Sequence, residues 1–539
     1  MAALSSWDGH GIVFRTLGGA LRRLSTQDLW ECAPVQFDPQ TGQRDRDPLD
    51  RPHPLVITSV TETAAGWSVA LDPLGQIELG PLDIGPYLHP RAATPERQPW
   101  AAAPDQGWEL FDYEAFLADD EVRRQCLLQV AHHGLARLTG APGQPGAVER
   151  CIEAFGHVRE TNYGRVFDVR VKPDAANLAD TDRGLAPHTD NPYRAPPPRL
   201  QVLHCLQDAD QGGETRLVDG LAAALRLRAE NPEAFDLLRR TPIHFEWRDA
   251  TTRLTTREPL LSVDDAGRIT ALRLNHRSFR TIGGEPQARD AWRDAYRALA
   301  AILNAPSFGC GLRLTPGDLL IFDNHRILHG RTAYSGAVAG ERHLQGAYAE
   351  IDGLQSTLAV LTDAEADRRV AAIAALFQSD ATLDAYGEGL SLRDHMLQTA
   401  DLAAARGFDE AQIAAALLHD LGWPLPGTRH ETSAADFLAP LCGPAVADPI
   451  RLHVAAKQYL VTREPSYLAR LSDASRHTLV QQGGPMPPEA CDAFERQPGF
   501  AAAIALRRLD DEAKDPDRPV RSFDAYAGLL KRVIVAAMM

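Results

Sequence analysis

The sequence predicts a multidomain chain in which a small β-rich domain and a larger, mostly β domain precede an all-α bundle. Three observations carry this reading. At 539 residues, 44% of them hydrophobic, the chain has material for two or three separate cores. Segments of β texture bounded by turn residues dominate up to about residue 355. After about Val360 the apolar positions recur with helical period and strand patterns vanish.

Taken in order, residues 1–95 hold short β-like runs such as PLVITSV and WSVALD and form the small domain. The Pro- and Ala-rich stretch RAATPERQPWAAAPDQG then reads as a linker. Residues 105–358 carry the β-like segments RVFDVRV, RLQVLHCL, TRLVDG, DLLIFDN and HLQGAYAEI, with helical stretches near Gly220 to Arg239 and Ala288 to Leu303. A linker is expected over 359–377. From 378 to 539, segments such as LRDHMLQTADLAAARG, DEAQIAAALLHDLG and DPIRLHVAAKQYLV are helical.

Composition excludes several classes. Lys plus Arg number 56 against 72 Asp plus Glu, a formal charge of −16, and no basic run is present, which opposes nucleic-acid binding. No apolar run approaches the ~20 residues of a membrane span, and the start MAALSSWDGHGIVFRTLGG lacks signal-peptide blocks, so a cytoplasmic protein without a membrane partner is expected. The seven cysteines show no CxxC spacing and fit a reducing compartment as core thiols. A homodimer is left open.

In an extended segment, positions i and i+2 point to the same side, so His188 and Asp190 of PHTD can grip one metal. A third donor, His329, follows the apolar strand of GDLLIFDNHRILHGRTAY. Two histidines and a carboxylate with open positions are the arrangement of non-haem Fe(II) oxygenases. Arg342 offers a planar fork for a co-substrate carboxylate. An HxD pair alone is more often a decorated turn. Its context is what sets it apart: APHTDNPY, HCLQDADQGGETRLVDG, GDLLIFDNHRILHGRTAY and ERHLQGAYAEID, in that order, resemble the taurine and γ-butyrobetaine hydroxylase family of 2-oxoglutarate dioxygenases over about residues 11–355. The resemblance implies a double-stranded β-helix (jelly roll), Fe(II) held by His188, Asp190 and His329, 2-oxoglutarate held by Arg342 and Thr215, and O2-driven hydroxylation of an unactivated C–H. Two departures stand out. Only Cys32 remains of that branch's N-terminal zinc cluster, which argues against structural zinc, and Asp180 and Asn191 occupy positions where that branch has tyrosines. Tyr163, Phe167, Tyr193 and Tyr348 remain as candidate pocket walls.

The apolar helix AQIAAALLHDLGW ends on His419 and Asp420. A bare HD pair is weak evidence, since a histidine can cap a helix. Further donors lie at helical spacing: His395, His430, His453 and Asp510, on five helices in all. Lys457 stands four residues after His453 and Arg507 three before Asp510, so each cation shares a helix face with a donor and forms a positive wall suited to an anionic substrate. The segments YGEGLSLRDHMLQTA, ALLHDLGW, HVAAKQYLV, SYLARLSDASRHTLVQQGGPM and RRLDDEAK resemble the HD-domain superfamily, in particular its mixed-valent di-iron oxygenases that cleave the C–P bond of 1-hydroxyphosphonates, over about residues 378–530. The resemblance implies that His395, His419, Asp420, His430, His453 and Asp510 bind two irons, Fe(II)/Fe(III), with Asp420 bridging. It makes Lys457, Ser475, Thr478 and Arg507 phosphonate contacts and Glu388 a partner for the substrate ammonium. It departs at Trp423, where close relatives have histidine.

Joined on one chain, the two resemblances imply oxidative phosphonate catabolism. The first domain would hydroxylate C1 of 2-aminoethylphosphonate or an N-methylated analogue, drawing on 2-oxoglutarate and O2. The second would cleave C–P to phosphate and glycine or glycine betaine, with tethering raising the local concentration of the intermediate. The alternatives are a hydroxylase fused to an HD phosphohydrolase or to a non-catalytic HD sensor.

Overall fold

The computed structural model describes residues 3–16, 21–47, 54–63, 66–88, 95–104, 107–173, 175, 177–335, 342–384 and 389–539. Backbone contacts divide the chain into two units, Thr94–Asp363 and a second that groups Met1–Ala93 with Ala364–Met539. Among the described residues no helix is long and apolar enough to cross a membrane.

In Thr94–Asp363 two sheets carry the first candidate site. The larger runs in the order Phe167–Val169, His343–Ala349, Leu200–Gln207, Leu319–Asp323, Leu135–Thr139, Leu110–Asp112, antiparallel except for the last pair. Its central strands Leu200–Gln207 and Leu319–Asp323 are buried on both faces. Leu200, Val202, Leu319 and Ile321 pack against residues of helices Asp120–His133 and Ala147–Glu153, while the alternate Leu203, Cys205, Leu320 and Phe322 face a second core. The smaller sheet has the order Leu185–His188, Ile327–Arg331, Thr215–Asp219, Cys310–Leu312.

The helical stretch expected near Gly220 to Arg239 is two helices, Gly220–Glu230 and Pro232–Arg240. Pro232 can open a helix but not continue one, and the Asn231 side chain caps the second by accepting from the Ala234 amide at 3.0 Å. The other stretch is helix Pro286–Asn304.

Residues 359–377, expected as a linker, are helical, lying within Ile351–Phe377. The reason is apolar burial: Ala366, Ile373 and Phe377 belong to the same core as the helices that follow. Those include Leu392–Ala405, Glu410–Leu418, His430–Cys442, Pro444–Arg463 and Phe500–Glu512. Helix Glu410–Leu418 starts at Asp409, whose carboxylate accepts from the Gln412 amide at 2.8 Å, and buries Ile413 to Leu418 without a polar face. Burying each of Ile413, Leu417 and Leu418 contributes about 1.5–3 kcal/mol. In Met1–Ala93, two three-stranded sheets meet where Phe14 and Trp67 pack edge to face at 4.9 Å, with Cys32 buried in the same core.

Candidate metal centres

The first centre is built by strand register. His188 pairs directly with His329 across Leu185–His188 and Ile327–Arg331, so the two imidazoles project from one face with centroids 4.4 Å apart. Asp190 lies just past the strand end. Asn324 fixes its backbone, accepting from the Asp190 amide at 2.6 Å and donating to its carbonyl at 3.1 Å. Tyr348 hydroxyl donates to Asp190 Oδ2 at 2.8 Å. His188 Nε2 stands 3.4 Å from Asp190 Oδ1 and His329 Nε2 3.8 Å from Oδ2. His188 Nδ1 lies 2.9 Å from the Ala186 carbonyl, which can only accept, so Nε2 turns its lone pair inward.

Burial keeps both imidazoles neutral, pushing His188 down and His329 down to about 3. Burial pushes the Asp190 carboxyl up, but His188 and His329 beside it hold it well below the usual carboxylate range. Two neutral imidazoles and a carboxylate, their donor atoms within 4.8 Å of one another, fit one divalent cation on a facial array.

A cavity of about 750 Å³ opens over these donors and reaches Thr215 and Arg342. Arg342 is buried, donates to the Gly213 carbonyl at 3.3 Å and, among the described residues, has no carboxylate at ion-pair distance. Gly213, at φ +77°, lets it pass: a Cβ there would stand 3.0 Å from Arg342 Nε. Tyr163, Phe167, Tyr193 and Tyr348 line this cavity. Phe167 stacks on Tyr348 at 5.0 Å, and Tyr193 hydroxyl lies 3.0 Å from that of Tyr163 and donates to Asn191 Oδ1 at 2.6 Å. Asn191 holds a left-handed φ of 54°, which asparagine tolerates better than most residues. Asp180 lines the cavity and pairs with Lys172 at 3.1 Å.

Among the cavity residues that sequence reasoning missed are Trp247 and Arg277. Trp247 stacks on Tyr193 at 6.0 Å, and Arg277 bonds, among the described residues, only the neutral side chains of Asn275 and Asn177. Both sit in segments, HFEWRD and RLNHRSF, whose spacing carries no motif; only the fold brings them to the cavity.

In the helical bundle, donors from five helices surround Asp420. His395 and His419 approach with Nε2 atoms 3.2 Å apart, and so do His430 and His453. Asp420 Oδ2 lies 3.6 Å from His419 Nε2 and 3.9 Å from that of His395; its Oδ1 lies 3.2 Å from His430 Nε2 and 3.6 Å from that of His453. Asp510 Oδ1 stands 3.3 Å from His395 Nε2. Carbonyls orient three rings through Nδ1: Ala513 for His395 at 2.8 Å, Ala416 for His419 at 2.9 Å and Ile450 for His453 at 2.7 Å. Burial pushes His453 down to about 3 and lowers His419 as well. Both oxygens of buried Asp420, and Asp510 Oδ1, have no hydrogen-bond partner among the described residues. So many buried acceptors converging without donors fit cations, one in each of the two groups that share Asp420.

Beside them Lys457 is buried, and its ammonium donates to Thr478 Oγ1 at 3.0 Å; burial, with Arg507 near, pushes it down to about 8. Arg507 departs from expectation. Its two amino groups bond Asp510 and Asp511 and its Nε bonds Tyr467 hydroxyl at 3.3 Å, because those carboxylates stand three and four residues along the same helix. A fork so engaged orients Asp510. Lys514, missed in the sequence although it closes RRLDDEAK, donates to Ser475 Oγ at 2.9 Å. Glu388 lies outside the described residues.

The family model described as taurine catabolism dioxygenase TauD, TfdA family matches residues 95–348. The chain is 37% identical to gamma-butyrobetaine dioxygenase of Pseudomonas sp. (strain AK-1) over 272 residues, half of this chain and 70% of that protein. It is 32% identical to the Homo sapiens protein of the same name over 273 residues, again 50% and 70%. It is 30% identical to mitochondrial trimethyllysine dioxygenase of Mus musculus over 256 residues, 46% of this chain and 60% of that protein. Through its middle region the chain therefore belongs to the TauD/TfdA dioxygenase family.

Proposed function

We propose that the chain is a bifunctional oxygenase that degrades an organophosphonate in two steps. His188, Asp190 and His329 hold Fe(II), and Arg342 with Thr215 receives the distal carboxylate of 2-oxoglutarate. The first step converts 2-aminoethylphosphonate, or an N-methylated analogue, and O2 to the C1 alcohol while 2-oxoglutarate becomes succinate and CO2, one oxygen atom entering the alcohol and the other succinate. His395, His419, Asp420, His430, His453 and Asp510 hold two irons of an HD-type domain. There the hydroxyphosphonate and O2 yield phosphate and glycine, or glycine betaine. Bound at these places, the metals supply oxidation of an unactivated C–H and cleavage of C–P by O2.

The protein's own groups do the rest. Tyr348 hydroxyl and Asn324 hold Asp190 in place for the first metal. Arg277, bonded only to neutral amides among the described residues, supplies positive charge for a phosphonate, and Tyr163, Tyr193 and Trp247 present ring faces to a substrate cation. In the bundle, Lys457, Thr478 and Ser475 form the anion contacts, with Lys514 taking the part expected of Arg507.

The observation that supports the second step is Asp420: a buried carboxylate with neither oxygen hydrogen-bonded among the described residues, amid four imidazoles. The test is to supply the full chain with Fe(II), O2, 2-oxoglutarate and either 2-aminoethylphosphonate or its trimethyl analogue, and to measure succinate, phosphate and iron. Equal succinate and phosphate with three irons per chain are expected. Succinate without phosphate would leave a hydroxylase fused to an HD phosphohydrolase or sensor, and nucleotide hydrolysis would select between those two.

A further inference from the structure

Three of the four imidazoles around Asp420 are anchored by a backbone carbonyl at Nδ1, but His430 is not. It opens helix His430–Cys442, and among the described residues its Nδ1 finds only Glu431 Oε2 at 3.5 Å, beyond good hydrogen-bond length. The Glu431 carboxylate is already engaged, its Oε1 accepting from Arg429 Nε at 2.7 Å. What meets the His430 ring is Trp423, with centroids 4.4 Å apart and planes only 8° from parallel.

This stack is built by the turn that also carries Asp420. The Trp423 amide donates to the Asp420 carbonyl at 3.1 Å, closing the turn. Gly422 then lies directly on the start of the next helix: a Cβ there would stand 1.9 Å from the His430 carbonyl oxygen and 2.7 Å from the Ala434 amide nitrogen. No other residue permits that approach. Trp423 is 52% exposed, so core burial does not account for so large a side chain at this position.

We propose that Trp423 is a positioning residue: its ring face fixes the plane of His430 in place of the missing carbonyl, and so governs how tightly a metal is held by Asp420, His430 and His453. The group of His395, His419 and Asp420, whose imidazoles have their own carbonyl anchors, does not depend on it. This inference rests on the two-metal reading of the bundle. Loss of an outer partner that orients a metal-binding histidine typically weakens metal binding by roughly 10–100-fold. Because stacking is weaker than a hydrogen bond to Nδ1, the lower end, about tenfold, is expected here.

The experiment titrates the metal-depleted full chain with Mn(II) alone, counting bound and free ions by electron paramagnetic resonance. Three variants are compared: wild type, Trp423→Phe, which keeps a ring face, and Trp423→Leu, which keeps apolar volume without one. Supporting the proposal, wild type binds three ions, Trp423→Leu weakens one of them about tenfold and leaves the other two, and Trp423→Phe stays within about threefold of wild type. Three ions of unchanged affinity in Trp423→Leu would overturn it while leaving the two-metal reading intact. Equal weakening in the Phe and Leu variants would also overturn it, since the effect would then follow size and not the ring face. A wild-type chain that binds a single ion would sink the two-metal reading itself, and this proposal with it.

Discussion

The two candidate centres use different architecture to solve the same problem of holding imidazoles against a buried carboxylate. In the sheets, one strand pairing sets His188 opposite His329, and the remaining donor, Asp190, hangs on a loop pinned by Asn324 and Tyr348. In the bundle no two histidines share a helix, and each of three rings is aimed separately by a carbonyl. Register is a collective property, so the sheet site sets its two histidines together, whereas the bundle site sets each ring by a separate contact.

The largest effect should come from removing a donor. Asp190→Ala is expected to abolish succinate formation, beyond the roughly 10–100-fold typical of losing an outer partner, while phosphate release from synthetic 1-hydroxy-2-aminoethylphosphonate persists. On the proposed two-metal reading, Asp420→Ala should do the reverse and remove both bundle metals, since both groups of donors use that carboxylate. Metal analysis with separate assays of the two half-reactions checks the pair. If either variant silences both activities, the centres are not independent.

How much of this was legible in the sequence follows from the same contrast. The candidate donors were readable in both regions from their spacing: His188 and Asp190 two apart in PHTD, although Asp190 lies beyond the strand, and a histidine from each of several helical segments. Their outer partners were not. Carbonyls of Ala186, Ala416 and Ile450 carry no side-chain signature, and Arg277 and Trp247 reach the cavity only through pairings distant in sequence. Arg507 was legible as a cation on the right helix face, but its same-helix neighbours Asp510 and Asp511 compete for it, and only coordinates reveal which ligand wins. The stretch 359–377 reads as a linker between domains even though DAEADRRVAAIAALF within it has helical period; Ile373 and Phe377, buried in the bundle core, make it part of a continuous helix.

The next effect separates anion binding from metal binding in the bundle. Lys457→Ala should keep both irons yet weaken the phosphonate by about 1.5–3 kcal/mol, the worth of a hydrogen bond to a charged group, or roughly ten- to more than a hundredfold in affinity. The pH dependence has a definite sign. With Lys457 pushed down to about 8, the ammonium that attracts the anion is present below that pH and lost above it, so affinity should fall as pH rises through about 8. Lys457→Arg, which stays charged, should flatten that limb. A wild-type affinity that climbs across the same interval would remove Lys457 from the anion site.

A smaller effect is expected at the outer partner of the sheet site. Tyr348→Phe deletes the hydroxyl that donates to Asp190 Oδ2, leaving the ring and its stacking on Phe167 in place. Because His188 and His329 remain locked in register, the Fe(II) affinity should drop by roughly tenfold, the lower end for an outer partner, with the strand framework and Tm little changed. Equilibrium metal titration reads the first and thermal unfolding the second. A drop as large as that of Asp190→Ala would show that the loop, and not the strand pairing, is what holds this centre together.

The smallest effect concerns Asp180, and it tests whether the cavity selects its amine by charge or by ring faces. Asp180 pairs with Lys172 at 3.1 Å, and the Lys172 side chain is 44% exposed, so the pair itself should contribute no more than about 1 kcal/mol to stability. Its carboxylate can accept N–H bonds from a primary ammonium, which a trimethylated nitrogen cannot offer. Tyr163, Tyr193 and Trp247 can instead face either cation. Asp180→Asn should therefore raise KM for 2-aminoethylphosphonate by about two- to fivefold, the size of a solvent-screened contact, and leave KM for the trimethyl analogue within twofold. Equal change for both substrates would mean that Asp180 acts only through Lys172. A wild-type preference for the trimethyl compound, unaltered by Asp180→Asn, would assign amine selection to the aromatic faces alone and leave Asp180 as a surface ion-pair partner.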